Sequence, residues 1–225
     1  MAERTIVFLF DVDNTLLDND RVSADLRAHL DQEVGSDCGH EYWEHFEKLR
    51  SELGYADYLG ALQRYRQSRP RDLRVLAVSR FLVDYPFANR LYRSSLDALD
   101  RCASIGTTAI LSDGDVVFQP RKIAGSGLWD AVGGRVLIYI HKEHELDDVE
   151  SRFPADHYVL VDDKVRILSA VKAAWGSRVT TVWPRQGHYA LDAADVARYP
   201  SPDVTIERIG DLVGIELDQL VPAAR

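Results

Sequence analysis

Near the N-terminus the stretch "TIVFLFDVDNTLLDND" runs apolar over residues 5–10 and then stops on two aspartates spaced one residue apart. Its continuous β-branched and aromatic character predicts a strand buried on both faces, the kind found in the middle of a parallel sheet. Asp11 and Asp13 then emerge at the C-terminal edge of that strand. In open α/β sheets this edge is where ligands bind, because strand ends and helix N-termini converge there on a crevice. A period of two also aims the Asp11 and Asp13 side chains the same way. The alternative is a strand-to-loop turn, with Asp and Asn bonding local backbone and Thr15 capping the next element. A calcium loop of the EF-hand type does not fit, because the Gly and the acid it needs at its sixth and twelfth positions are here Leu16 and Val22.

Strand-like runs recur at residues 107–111 ("TTAIL"), 135–140 ("RVLIYI"), 157–161 ("HYVLV"), 178–183 ("RVTTVW") and 204–206 ("VTI"). Helix-length segments lie between them, at 94–105, 116–125, 145–152 and 165–175. Alternation at this spacing predicts an α/β fold with a doubly wound parallel sheet. Residues 18–87 break the rule and carry helical periodicity instead. Tyr42, Phe46, Leu49 and Leu53 form one apolar stripe that ends at Gly54, a natural helix C-terminus; Leu59, Leu62 and Tyr65 form a second. Leu73, Leu76, Ala77 and Phe81 form a third behind Pro70, a good first-turn residue. These stripes predict the core of a small helical bundle inserted after the first strand. The run Arg64, Arg66, Arg69, Arg71 and Arg74 reads as a solvated face, with phosphate binding as the alternative. Trp43 and Arg50, seven residues apart, either face a substrate or pack.

Charge narrows the partners. Lys plus Arg total 27 against 36 Asp plus Glu, a net charge of −9, which disfavours a general nucleic-acid binder or a protein held on a membrane surface. The chain of 225 residues, 46% apolar and 28% charged, has the make-up of a soluble globular protein with one large domain or a core plus an inserted subdomain. Cys38 and Cys102 lack metal-ligand spacing and read as free thiols of a reducing compartment. The N-terminus has no basic n-region or cleavage site, and its apolar run is too short to span a bilayer, so the cytoplasm is the expected location.

Just past each strand stands a polar set: Asp11 and Asp13, then Ser112, Asp113 and Gly114 in "LSDG", then Lys142, then Asp162 and Asp163 in "LVDD". Parallel strands gather these groups at one edge of one sheet. Carboxylates crowded together raise one another's pKa values unless a cation sits among them, and oxygen-only acidic ligands suit Mg²⁺. Phosphoryl transfer gives every group in the set a part to play. Asp11 would attack phosphorus and form an aspartyl-phosphate, while Asp13 would protonate the leaving oxygen and later deprotonate water. Mg²⁺, Lys142, the Ser112 hydroxyl and the backbone N–H groups of the Asp113 to Gly114 turn would neutralise the equatorial oxygens.

In this order "DVDNTL", "LSDG", Lys142 in "IHKEHE" and "VDD" resemble the four motifs of the haloacid dehalogenase superfamily of phosphohydrolases, over essentially the whole chain. The resemblance implies a Rossmann-like core of residues 1–17 plus 88–225. It also implies an all-α cap at 18–87 that closes over the site, excludes water and chooses the substrate. By the same resemblance the reaction is Mg²⁺-dependent hydrolysis of a small-molecule phosphate ester. Asp11 is then the nucleophile, Asp13 the acid/base, and Ser112 and Lys142 the phosphoryl ligands. The Asp162/Asp163 pair is the metal end, together with the Asp11 carboxylate and the Asp13 backbone carbonyl. Many relatives carry another acid four or five residues after the fourth motif, where this chain has Ile167 and Leu168; alignment with the commoner Gly-Asp form favours Asp163 over Asp162 as direct ligand. Lys122 in "QPRKIAG" is a second candidate for the lysine role, on a helix before the third strand.

Dehalogenation in this family does without the second aspartate and without metal, so Asp13 argues for phosphate. A phosphomutase needs the same groups, and retention of phosphoryl on the product separates it from a hydrolase. A catalytically silent binding protein on the same core is separated by metal-dependent turnover. The loop "WPRQGHYA" is read as a surface connection at the sheet edge, with Arg185 and His188 the residues that could reach the cleft. His141 and His144 shape the loop of Lys142 rather than bind metal.

Overall fold

The computed structural model describes residues 4–222; residues 1–3 and 223–225, at the two ends of the expected core, lie outside the described residues. Strands β1 (Ile6–Phe10), β2 (Thr107–Asp113), β3 (Val136–Tyr139), β4 (His157–Val161), β5 (Val179–Pro184) and β6 (Val204–Ile206) form one parallel sheet. Their order is β3-β2-β1-β4-β5-β6. The first strand is central because both of its faces are apolar. Phe8 and Phe10 pack with Ile110, Val159 and Val161 on one side, and Val7 and Leu9 pack with Ala109, Leu111, Tyr158 and Leu160 on the other. The chain passes from β1 outward to β2 and β3, then returns across β1 to β4, so the winding reverses beside β1 and leaves a crevice at its C-terminal end.

Four helices follow β1: α1 (Asn19–Glu33), α2 (Ser36–Leu53), α3 (Tyr58–Ser68) and α4 (Val75–Asp84). Asp18 caps α1 by accepting the Arg21 N–H, Asp57 caps α3 through the Gly60 N–H, and α2 ends on Gly54 in the left-handed conformation at φ 79°. The remaining helices are α5 (Ser95–Ala103), α6 (Phe118–Gly125), α7 (Leu128–Ala131), α8 (Leu146–Arg152), α9 (Val165–Trp175), α10 (Gly187–Leu191), α11 (Ala193–Val196) and α12 (Leu217–Leu220). The chain leaves for α1 and comes back from α4 along two paired segments. Leu17 bridges Leu91 in antiparallel fashion, the Asp18 N–H donates to the Arg90 carbonyl at 2.8 Å, and the Tyr92 N–H donates to the Leu16 carbonyl at 3.0 Å. Among the described residues no helix is long and apolar enough to cross a membrane.

Two expectations are corrected. The third stripe does not form a buried face, since Leu73 is 89% exposed and Leu76 57% exposed; α4 starts at Val75 rather than behind Pro70 and buries Val78 and Leu82. Asp72 accepts the Arg74 N–H at 3.0 Å, which holds the preceding residues in a turn. The fifth strand is not at the sheet edge, because β6 pairs with it through Val182 and Val204, Trp183 and Thr205, and Pro184 and Ile206. Of the arginine run, Arg64 pairs with Glu52, Arg69 with Glu41 and Arg74 with Asp72, which leaves these three occupied by local acids on the surface.

Candidate active site

The hydrogen bond from the Asp11 N–H to the Val161 carbonyl, 2.9 Å, carries the sheet one residue beyond β1 and brings Asp11 beside the end of β4. Carboxylate oxygens of Asp11, Asp162 and Asp163 all lie within 4.8 Å of one another, and all three residues are buried. Lys142 enters from the short helical turn Lys142–His144 after β3. Its ammonium is 2.5 Å from Asp11 Oδ1 and 2.6 Å from Asp162 Oδ2, and donates to the Leu111 carbonyl at 3.2 Å. Burial pulls the Lys142 pKa down, yet the Asp11, Asp162 and Asp113 carboxylates outweigh it and hold that pKa well above the usual lysine range.

Three buried acids gather beside a single ammonium here, with the Lys164 charge acting on them from further off, and the deficit falls on Asp163. Asp162 Oδ1 accepts the Lys164 N–H at 2.8 Å, and its other oxygen faces Lys142. Both Asp163 oxygens and Asp11 Oδ2 are buried without a hydrogen-bond donor among the described residues. Burial pushes Asp162 up to about 6, with Lys142 opposing and Asp11 adding to the rise. Burial likewise raises Asp163 well above the carboxylate range, against the pull of Lys164. Buried anionic oxygens without partners are costly unless a cation completes them. All the donors are oxygen, so the set fits a hard divalent ion such as Mg²⁺. The neighbouring polar groups are tied down: Thr15 Oγ1 accepts the Asp163 N–H at 3.0 Å, and the Trp183 indole donates to the Asp163 carbonyl at 2.9 Å.

Above these groups lies a cavity of about 490 Å³ between the strand ends and the α1, α2 and α3 helices. Asp13, Asp113 and Lys164 open into it from the sheet side, and Arg27, Trp43, Arg50 and Tyr55 from the helical side. The Arg27 guanidinium stacks on the Trp43 indole at 3.9 Å, so Trp43 packs and lines the cavity at once. Asp113 Oδ1 accepts the Lys142 backbone N–H at 2.9 Å. The Gly114 N–H is already given to the Tyr139 carbonyl at 2.9 Å, which corrects the expectation that it is free for a phosphoryl oxygen. Ser112 Oγ accepts from Gln119 Nε2 at 2.9 Å.

The loop after β5 is more than a surface connection. Gln186 Nε2 donates to the carbonyls of Thr15 at 2.7 Å and Asn14 at 3.2 Å, gripping the backbone that carries Asp13. Gly187 has φ 75°, and a Cβ there would come within 2.5 Å of the Asn14 Cβ, so only glycine lets the loop approach this closely. His188 bonds Asp20 of α1 through Nδ1 at 2.6 Å and through its backbone N–H at 2.8 Å. Burial raises the Asp20 pKa, but the bonds from His188 and Asn14 outweigh it and hold the carboxyl below its usual value. Arg185 turns outward to Glu207. Arg50 donates to the Tyr189 hydroxyl at 2.7 Å, and a Cβ on Gly54 would meet the His141 ring at 2.9 Å, so the helical segment sits directly on the core.

Sequence reasoning missed Gln119 and set Lys122 aside. Lys122 is 1% exposed; its ammonium is 2.6 Å from Asp13 Oδ1 and donates to Asn19 Oδ1 at 3.0 Å. Their spacing of three on a helix, which puts both side chains on one face, was the available signal.

No family model matches the chain, and no curated protein matches it. Solved structures do. One assigned as a haloacid dehalogenase-like hydrolase from Burkholderia xenovorans LB400 is 64% identical, with a TM-score of 0.91 over 96% of this chain and 99% of that one. YfnB of Bacillus subtilis, assigned as a HAD-hydrolase and bound to magnesium, is 17% identical over 95% of this chain and 100% of its own, with a TM-score of 0.61. The L-2-haloacid dehalogenase of Xanthobacter autotrophicus is 20% identical over 92% of this chain and 96% of its own, at 0.58. The latter two likenesses concern the fold alone.

Proposed function

The chain belongs to the haloacid dehalogenase-like hydrolases, and we propose that within them it is a Mg²⁺-dependent phosphomonoester hydrolase acting through an aspartyl-phosphate on Asp11. The observation that carries this reading is the Asp13 carboxylate, two residues past the buried Asp11 and facing the cavity. A halide leaves carbon as a stable anion and needs no proton. An alkoxide leaving phosphorus does, and Asp13 is a group that can give it.

Asp11 is the nucleophile, its carboxylate oriented by Lys142 on Oδ1. It bonds to phosphorus as the bond to the ester oxygen breaks, and the proton of Asp13 goes to that oxygen. Water then attacks phosphorus, Asp13 takes its proton, and the bond to Asp11 breaks. Ser112 Oγ and the Lys142 ammonium orient the phosphoryl oxygens and offset their charge. Mg²⁺, held by Asp11, Asp163 and the Asp13 carbonyl while Asp162 serves mainly to anchor Lys142, would supply further positive charge at the phosphoryl group. Residues 18–87 act as the cap: they roof the cavity, keep out bulk water and contact the leaving group through Arg27, Trp43 and Arg50. The substrate is a small phosphorylated metabolite, and the cytoplasm is the fitting compartment.

Phosphate release from p-nitrophenyl phosphate and from a panel of alkyl phosphate esters of metabolites tests this, with and without Mg²⁺, for the parent and Asp11→Asn. The expected result is Mg²⁺-dependent release that the variant loses by at least about a thousandfold. Halide release from 2-haloacids with no phosphate release from any ester would reject the reading.

A further inference from the structure

Nothing in that reaction involves Lys122, although it is one of the few fully buried charged side chains. Lysine is almost never buried without a partner, because stripping water from an ammonium is costly. Its partner here is the proposed acid/base itself: Nζ lies 2.6 Å from Asp13 Oδ1, and its second bond goes to Asn19 at the start of α1. The two buried lysines thus divide the loop after β1, with Lys142 on Asp11 and Lys122 on Asp13.

The two oxygens of Asp13 are held unequally. Oδ1 is clamped by a buried ammonium, whereas Oδ2 has Gln119 Nε2 at 3.4 Å, a long contact from an amide that is better placed on Ser112 at 2.9 Å. The Asp13 side chain is 27% exposed although Lys122 is sealed beneath it. One oxygen is therefore an anchor, and the other is loosely bound on a side chain that lines the cavity.

Resting on the phosphomonoester reading, we propose that Lys122 is a positioning residue that pins Oδ1 of Asp13, so that Oδ2 is the oxygen that exchanges the proton. In the first half-reaction Oδ2 gives its proton to the departing ester oxygen as that oxygen's bond to phosphorus breaks and the bond from Asp11 forms. In the second, Oδ2 receives the proton of the attacking water as the bond from Asp11 to phosphorus breaks. The ammonium on Oδ1 is unchanged through both. Proton transfer of this kind depends on placement, and small displacements of the reacting groups are expensive in rate.

A leaving group that needs no proton separates this role from a structural ion pair. The ratio kcat/KM is measured for p-nitrophenyl phosphate, whose phenolate departs unaided, and for the fastest alkyl ester of the panel. Parent, Lys122→Met, Lys122→Gln and Asp13→Asn are compared, with thermal melts to identify unfolded variants. Both Lys122 variants are expected to lose at least about tenfold on the alkyl ester and less than about threefold on the aryl ester, the pattern set by Asp13→Asn. Equal losses on both esters, or no loss on either, overturn the proposal and leave Lys122 as a fold-stabilising pair. A parent that releases phosphate from neither ester overturns the phosphatase reading itself and the proposal with it.

Discussion

His157 opens β4 in a buried position, with Nε2 2.9 Å from the Thr180 hydroxyl and Nδ1 3.1 Å from the Arg4 guanidinium. A guanidinium only donates, so Nδ1 accepts and the ring proton sits on Nε2, donating to Thr180. Burial and then the Arg4 charge press the His157 pKa down to about 4. The unfolded chain protonates this histidine near its ordinary 6.5 and the folded chain does not, so its stabilising contribution is complete above that value and is lost as pH falls toward about 4. The raised pKa values of Asp162 and Asp163 give a slope of the opposite sign, because a carboxyl that ionises less readily when folded loses stability as pH rises. The comparison that isolates the histidine is parent against His157→Gln, by urea unfolding from pH 7.5 to 5. His157→Gln should fall less steeply across this window, by at most about 1.4 kcal/mol per pH unit; parallel curves would reject the assignment. At this scale the sequence was informative wherever a residue stands directly at a strand end, as Asp11, Ser112, Asp162 and Asp163 do, since parallel strands bring such positions together without further information. Lys122 and Gln119 lie a helix away from β2, and their reach to Asp13 and Ser112 depends on how α6 is rotated, which local pattern does not specify.

The α4 helix shows the same limit one level up. The stretch "LRVLAVSRF" is apolar on more than one side, so its period allows several buried faces, and the choice between them is made by packing against α1 and α3. Leu82→Ala is expected to cost about 2–5 kcal/mol by leaving a cavity, whereas Leu73→Ala should change stability by no more than about 0.5 kcal/mol. Comparable urea midpoints for the two would mean that the helix is rotated from the orientation described. The loop after β5 was misread for a related reason. Only three residues of β6 cover that edge, and the contribution of Gln186 depends on β5 lying inside the sheet, next to the strand that neighbours β1. The strands, by contrast, were legible as short β-branched and apolar runs between helix-length segments, unbroken in β1 and mixed with threonine in β2, β5 and β6.

For the molecule as a whole, the proposed ion, held among the buried acids at the strand ends, would couple its binding to folding. An ion that binds only the folded chain stabilises it by mass action. Millimolar Mg²⁺ is therefore expected to raise the melting temperature of EDTA-treated protein by several degrees, and Asp163→Asn should abolish the response. Coincident melts of the parent with and without Mg²⁺ would remove Asp163 from the ligand set. The pairing of Leu17 with Leu91 has a consequence on a longer timescale. Because the chain exits and re-enters the core at hydrogen-bonded neighbours, about seventy mostly helical residues are inserted between two points of the chain that a single tight turn could join. The helical segment is thus a module: over evolutionary time it can be exchanged, enlarged or deleted in one recombination event without disturbing strand order, and a new roof would meet the same acids and lysines at the strand ends.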